Sequence, residues 1–565
     1  MPVSKHRTAG RCTTLLLVLG LTLAACTPSQ DPDDLDGRSS DPDSGSQAST
    51  ERAAGPAFET ACALPTKELQ RLRRGYLPGR SPEIVVVPKE PNYFGGFTTW
   101  THSGPWDYVQ NVPVMFYGPG FIRSQGEIAV EGSSVADISP TLAELLRIEW
   151  PEDRPGVPID EALLPADRRD TPKLIMVVVW DGGGWNVLDR WGDSWPNLRR
   201  MMDEGTTITN ADVGSSPSVT PAIHASIGTG TFPKQHGIVD IPLRRGDRIV
   251  GSWDATEKSP RYLKSTTLAD IYDPSTNNEA EVAMIAENNW HLGMIGHGSY
   301  IEEGDKDIAA MVEGSDGSLV TSEWYSLPDY LADTEGLEDD VRSVDQADGQ
   351  VDSAWMGHDL LTDPGDFRHT PVWELFQTRL LKALMDEGGF GDDDVTDLIY
   401  TNFKQIDLIG HDWNMLSREV ENTVEYSDDA LGELEAHMNA AVGRNEWVIA
   451  MTADHGQSPK AETTGAWPIA IQNLMSQTAD HFGVGVDHLF QQQRPGALWL
   501  DRDTLEQEDI SERAIAEFIL DYRLEDDASG DVPSEYRSRL DEKLMAAAYP
   551  YRWMPEIWDR CVLDR

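Results

Sequence analysis

The chain has 565 residues, 39% of them hydrophobic, with 46 Lys and Arg against 96 Asp and Glu, a formal net charge of −50. That length allows one large domain or several ordinary ones with a sizeable core. The acidity offers no basic face for counterion release and repels nucleic-acid phosphates, so no nucleic-acid polymer is expected as a partner.

Taken in chain order, the first residues read as an export signal. Lys5, Arg7 and Arg11 precede a short apolar run from Thr13 to Leu23, too short for a membrane-spanning helix. The ending LAAC, Leu23 to Cys26, resembles the lipobox of bacterial lipoproteins. That resemblance implies that Cys26 is lipidated after residues 1–25 are removed and that the protein sits on the outer face of the cell membrane. A plain cleaved signal with a chance cysteine is the other reading. Residues 26–58 are rich in Ser, Asp, Pro and Gly and are expected to form a disordered tether with a span on the order of 30 Å. The membrane is then met only through the lipid. Beyond Cys12 and Cys26 only Cys62 and Cys561 remain; they pair in an oxidising compartment or stay as two buried thiols.

Residues 59–565 are expected to form a single domain with an insertion near 300–365. Apolar runs at Ile84–Val87, Leu174–Trp180, Asp397–Thr401 and Trp447–Thr452 read as buried parallel strands. Between them lie helical patterns: one opening at Ser139-Pro140, then Pro196–Glu204, which starts at proline and stops before glycine, then His369–Met385 and Leu416–Val442. Alternating strands and helices predict an α/β fold with a mostly parallel central sheet flanked by helices. Polar residues then gather at the carboxyl ends of the strands. Asp181 ends the second run, Asp407 and His411 follow the third, and Asp454 and His455 follow the fourth. Each signal is weak alone. Asp407 and His411 share a helix side at i, i+4, as many surface pairs do. Asp181 before three glycines also suits a turn, and Thr220-Pro221 also suits a helix start. Acidic runs such as GDDDVTD read as solvated loops.

In conjunction these motifs resemble the alkaline phosphatase superfamily, most closely its nucleotide pyrophosphatase/phosphodiesterase branch. VVVWDGGGW is similar to the family's first metal-binding strand and WPNLRRMMDEG to the helix after it. SSPSVTPAIHASIGTGTFPKQHGI is similar to its nucleophile segment, and IDLIGHDWN and TADHGQ to two further metal motifs. The family's last metal histidine normally comes near the C-terminus, but His481 and His488 lack its context. FTTWTHSGPWDY, near the start, has that context and supplies His102. The resemblance therefore implies circular permutation, with the family's C-terminal segment moved to the N-terminus. A Cys62–Cys561 bridge would then join the new ends.

What the resemblance implies for chemistry is a two-metal hydrolase with Thr220 as nucleophile. One divalent ion falls to Asp407, His411 and His102, the other to Asp181, Asp454, His455 and the Thr220 oxygen. The donor types suit zinc, with manganese compatible. The implied substrate is a small phosphodiester or nucleotide, cleaved through a phospho-threonine. Two departures bear on specificity. HGIVDIPL puts Ile241 where relatives carry an oxyanion-binding Asn, and AENNWHLGMIGHG lacks the Lys-x-Arg pair of phosphomonoester specialists. That loss favours a diester over a monoester. Glu287, Asn288 and Asn289 in that stretch read as a plain turn, and His224, His236 and His297 as framework. A sulfatase is disfavoured because the nucleophile segment has no Cys/Ser-x-Pro-x-Arg pattern. A phosphomonoesterase of the same superfamily and a catalytically silent surface lipoprotein are the competing readings.

Overall fold

The computed structural model describes residues 51–563 except 97, 255, 313–317, 529 and 531. The signal segment, Cys26 and most of the expected tether lie outside the described residues. Thirteen strands matter for the site. In chain order they are β1 (Ile84–Pro88), β2 (Val114–Tyr117), β3 (Gly126–Ile128), β4 (Leu174–Trp180), β5 (Thr206–Ile208), β6 (Val282–Ala286) and β7 (Ile308–Val312). They continue with β8 (Leu319–Val320), β9 (Asp397–Phe403), β10 (Trp447–Thr452), β11 (Phe490–Arg494), β12 (Ala497–Leu500) and β13 (Met545–Pro550).

Nine of them form one sheet in the order β8-β7-β6-β9-β4-β10-β2-β5-β3. The five neighbours β7, β6, β9, β4 and β10 run parallel, whereas β2 pairs antiparallel with both β10 and β5. Every residue of β4 is buried. Ile175, Val177 and Val179 enter one hydrophobic cluster, while Leu174, Met176, Val178 and Trp180 enter the cluster on the opposite face. Helices on both faces make this possible, which is why a buried parallel strand reads as a continuous apolar run instead of an alternation. Helices Pro196–Glu204, Val372–Asp386 and Arg418–Ala441 lie within two or three residues of their expected limits. Ile138–Leu146 buries Ile138, Leu142, Leu145 and Leu146 as its pattern predicts.

Two expectations need correction. The run Ile84–Val87 is not a parallel strand of the main sheet. β1 lies in a separate four-stranded sheet, β11-β12-β1-β13, antiparallel to both neighbours. It is buried on both faces, so its composition alone could not distinguish the two settings. The folded region starts before residue 59: Ala53 and Ala57 are fully buried and a helix begins at Gly55. This helix packs on β13 and on the helix Glu512–Leu520, and small alanines permit that close approach. The stretch 300–365, where an insertion is expected, contains β7 and β8 at the edge of the main sheet. The described residues pack as one compact unit. Cys62 and Cys561 are joined by a disulfide, their Cα atoms 5.3 Å apart.

Candidate metal centre and nucleophile

The carboxyl ends of β4, β9 and β10 lie side by side, and each delivers acidic or imidazole groups. Asp181 directly follows β4 and is fully buried, its amide bonded to the Phe403 carbonyl at 3.0 Å. Gly182 takes a positive φ of 70° and donates its N–H to Asp454 Oδ1 at 3.0 Å. A Cβ at Gly182 would stand 3.1 Å from the Asp407 Cα, so the tight turn and the close approach both require glycine. After β9 the chain enters the helix Gln405–Trp413, whose first and last turns carry Asp407 and His411. On the same helix a Cβ at Gly410 would meet the Gln457 side chain at 2.0 Å. Gln457 in turn donates to the Ile406 carbonyl at 2.9 Å and fastens the loop after β10 to this helix. Thr220 is the first residue of the ten-residue helix Thr220–Thr229, is 3% exposed, and has Val219 as its N-cap.

The seven side chains singled out in the sequence converge. Donor atoms of His102, Asp407 and His411 lie within 4.8 Å of one another, as do those of Asp181, Asp454 and His455. His411 Nε2 is 3.3 Å and His102 Nε2 3.7 Å from Asp407 Oδ1. His455 Nε2 is 3.4 Å from Asp454 Oδ2, 3.5 Å from Asp181 Oδ1 and 3.9 Å from Asp407 Oδ1, so the two groups adjoin. Thr220 enters through Lys404, described below.

The histidines are oriented alike. Nδ1 of His102 lies 2.8 Å from the Ser218 carbonyl, Nδ1 of His411 2.6 Å from the Trp100 carbonyl, and Nδ1 of His455 3.0 Å from the Gly456 carbonyl. A carbonyl only accepts, so each Nδ1 carries a proton and each ring turns Nε2 into the cluster; in His102 and His455, held neutral by burial, that nitrogen offers a lone pair. This is the tautomer that a metal requires of imidazole. Ser218 Oγ also donates to the His102 carbonyl at 2.7 Å, and the ring of His102 stacks on that of His455 with centroids 3.5 Å apart. The N-terminal segment is thereby fastened to the loop leading into Thr220.

Buried Asp407 Oδ1, Asp454 Oδ2 and His455 Nε2 have no hydrogen-bond partner. Orphaned acceptors of this kind are costly unless a cation meets them. The donor set of carboxylates, imidazoles and one hydroxyl fits divalent ions such as zinc. Burial opposes the charge of His411, but the adjacent Asp407 outweighs it and raises that imidazole above its usual range. Burial and the neighbouring His455 hold His102 well below its usual range. Burial also lowers His455, to about 3. Burial and the adjacent Asp454 push Asp181 well above the carboxylate range. Burial opposes the charge of Asp407, but Lys404 and His411 outweigh it and hold that carboxyl well below its usual range.

Two features were not anticipated. The buried ammonium of Lys404 donates to Asp407 Oδ2 at 2.7 Å, Asp181 Oδ1 at 2.9 Å and Thr220 Oγ1 at 3.2 Å. Its only trace in the sequence is a lysine three residues before Asp407, directly after an apolar strand. Behind Asp181 sits a second buried layer. Asn402 donates to Asp181 Oδ2 at 3.2 Å and lies 3.3 Å from His224 Nε2, and His224 Nδ1 is 3.0 Å from His291 Nδ1. Donor atoms of Asp181, His224 and His291 lie within 4.8 Å of one another, all three buried. His236 is bonded to Ser226, and His297 is paired with Asp270 at 2.7 Å. Asn288 caps a short turn through the Trp290 amide, and Glu287 pairs with Arg368. The backbone amide of Ile241 donates to Asp240 Oδ1 at 2.7 Å.

Residues 175–542 match the sequence model of the type I phosphodiesterase / nucleotide pyrophosphatase family. The chain belongs to this family. Among known proteins it is 25% identical over 352 residues to alkaline phosphatase PafA of Elizabethkingia meningoseptica, covering 53% of this chain and 63% of that protein. It is 22% identical over 343 residues to a protein of Myroides odoratus named calcium-transporting ATPase, covering 52% and 62%. The chain thus spans less than two thirds of the length of these relatives. The crystal structure of wild-type PafA shares the fold with a TM-score of 0.52 at 19% identity, covering 67% of this chain and 84% of that one. His102 lies ahead of the span that the family model matches.

Proposed function

We propose that this protein is a two-metal phosphoester hydrolase of the phosphodiesterase/nucleotide pyrophosphatase type that works through a covalent phospho-Thr220. One observation carries the reading: three imidazoles and two orphaned carboxylate oxygens face one another beside the hydroxyl of Thr220. His102, Asp407 and His411 would hold one divalent ion; Asp181, Asp454, His455 and Thr220 would hold the other. When bound, such ions supply Lewis acidity for the attacking and leaving oxygens of an in-line displacement.

The chain's own groups do the rest. Thr220 Oγ1 forms the new bond to phosphorus as the bond to the leaving oxygen breaks; the hydroxyl proton passes to solvent and the leaving group is protonated from it. Water then attacks the phospho-threonine, releasing the phosphate product and restoring the hydroxyl. The N-terminus of the helix Thr220–Thr229 sets the positive end of its dipole at the nucleophile, near the developing negative charge. The ammonium of Lys404, 3.2 Å from Oγ1, favours the oxygen as an anion.

Absence of a Lys-x-Arg pair before Gly296-His297 removes the strongest recognition of a dianionic monoester, so a small diester or pyrophosphate is favoured. A monoester is the second reading, because PafA and a relative 23% identical in Synechococcus elongatus are named alkaline phosphatases. Comparing kcat/KM on bis-p-nitrophenyl phosphate and p-nitrophenyl phosphate decides; a higher value on the monoester refutes the diester assignment. The position of His102 supports reading the chain as a circular permutation, the family's last metal histidine coming first. The LAAC motif supports export and lipid anchoring at Cys26. Labelling with a palmitate analogue tests the anchor. Among the described residues no helix is long and apolar enough to cross a membrane.

A further inference from the structure

Lys404 stands where a second cation would stand. Of the four donors expected for the Asp181 group, Asp181 Oδ1 and Thr220 Oγ1 already accept hydrogen bonds from its ammonium. In the Asp407 group it takes only Oδ2, leaving Oδ1 free to face His102 and His411. Charge balance points the same way. Asp181, Asp407 and Asp454 are all buried, and once a bound cation draws all three into the ionised form, their three negative charges are matched by one divalent ion together with the ammonium. Two divalent ions with the ammonium in place would leave an excess of positive charge in a desolvated site, which is costly until an anionic substrate enters.

We infer that Lys404 is a built-in monovalent cation of the centre that competes with the second divalent ion. The group of His102, Asp407 and His411 fills first and tightly. The group of Asp181, Asp454, His455 and Thr220 fills at least tenfold more weakly, because an entering ion must displace the ammonium from Asp181 and Thr220. Lys404 is thus a positioning residue for Thr220 and sets how many ions the resting protein retains. This rests on the two-metal reading above.

The test counts metal and does not require turnover. Protein stripped with a chelator is loaded with zinc alone, desalted, and assayed for bound zinc per chain, with calorimetric titration for the affinities. Wild type should retain one zinc, Lys404→Arg one, and Lys404→Gln and Lys404→Met two, with second-site affinity raised at least tenfold. Asp454→Asn, which removes a donor of the second group only, should still retain one. That variant keeps the test decisive should the Lys404 variants fail to fold. Two equally tight zinc ions in wild type, or a drop from two to one in Asp454→Asn, overturns the inference and leaves the two-metal reading intact. No zinc in any folded variant overturns both.

Discussion

Reducing or replacing the Cys62–Cys561 bridge should lower thermal stability while leaving the site whole. The two cysteines are 499 positions apart, and closing a loop of that size contributes about 6 kcal/mol in the chain-entropy model, taken as a ceiling. Unfolding of about 510 residues carries an entropy of about 1.1 kcal/mol/K, so the melting midpoint should fall by about 5 °C in Cys62→Ser/Cys561→Ser. The native ends have other ties that should keep the fold in place. β1 pairs with β13 along its length, Tyr551 donates to the Leu72 carbonyl at 2.6 Å, and the Ala53 amide donates to Glu556 at 3.0 Å. Scanning calorimetry of wild type and the double variant, with and without reductant, measures the shift. Zinc content and diester hydrolysis at 25 °C should match wild type. An unchanged midpoint would refute the loop-entropy argument. Lost zinc at an unchanged far-ultraviolet spectrum would show that the other ties do not suffice to hold His102.

Three further outcomes follow from the geometry. Thr220→Ala should lower kcat on a diester by at least about 10³-fold while zinc content stays within a factor of two; retained turnover removes Thr220 from its role. His102→Ala and His411→Ala should weaken the first metal group to a similar extent, by at least about 10-fold in zinc affinity, and a His102→Ala protein with wild-type affinity would contradict its placement beside Asp407. Glu374 is fully buried, with Ser427 donating to Oε1 at 3.0 Å and Oε2 unpartnered, and burial pushes its carboxyl from 4.5 up to about 8. The unfolded chain therefore loses this proton first as pH rises, so stability falls between about pH 4.5 and pH 8 and is lowest, for this group, above that window. Glu374→Gln should remove the dependence and raise stability at pH 8.5 by a few kcal/mol, at about 1.4 kcal/mol per unit, with little change at pH 4. Urea midpoints at the two pH values measure it; equal gains at both would reject the assignment.

How much of this was legible in the sequence depends on how locally each group is specified. Asp181, Asp454 and His455 follow unbroken apolar runs, and Asp407 and His411 lie one turn apart just after a third. Once those runs are buried parallel strands, chain continuity alone carries the groups to one edge of the sheet. His102 sits in no regular element, so only the family resemblance singled it out. The run Ile84–Val87 was legible as a buried strand but not as an antiparallel one, since burial on both faces erases the alternation that separates the two. The fold's first helix was hidden because its buried face, Ala57, Phe58 and Ala61, is mostly alanine and shows no run of large apolar residues. Lys404 was illegible for a different reason. A lysine after a strand is ordinarily a solvated terminator, and only the convergence of Asp181, Asp407 and Thr220 around its ammonium shows it buried.

His102 also shows why the centre is a property of the whole fold and not of the main sheet alone. The segment that bears it leaves β1 in the small antiparallel sheet and enters β2 in the large one. On the way its carbonyl accepts from Ser218 Oγ, its Nδ1 donates to the Ser218 carbonyl, and the Trp100 carbonyl accepts from His411. These bonds join the N-terminal segment to the loop before Thr220 and to the helix after β9. On the proposed permutation, a ligand borne near the end of the chain in relatives would come from the beginning of this one, with the connection between sheets held in the same place. The covalent order of the strands would then be free to change, because the His102 imidazole is oriented by the Ser218 carbonyl and its backbone is held by the Ser218 hydroxyl, not by its distance along the chain.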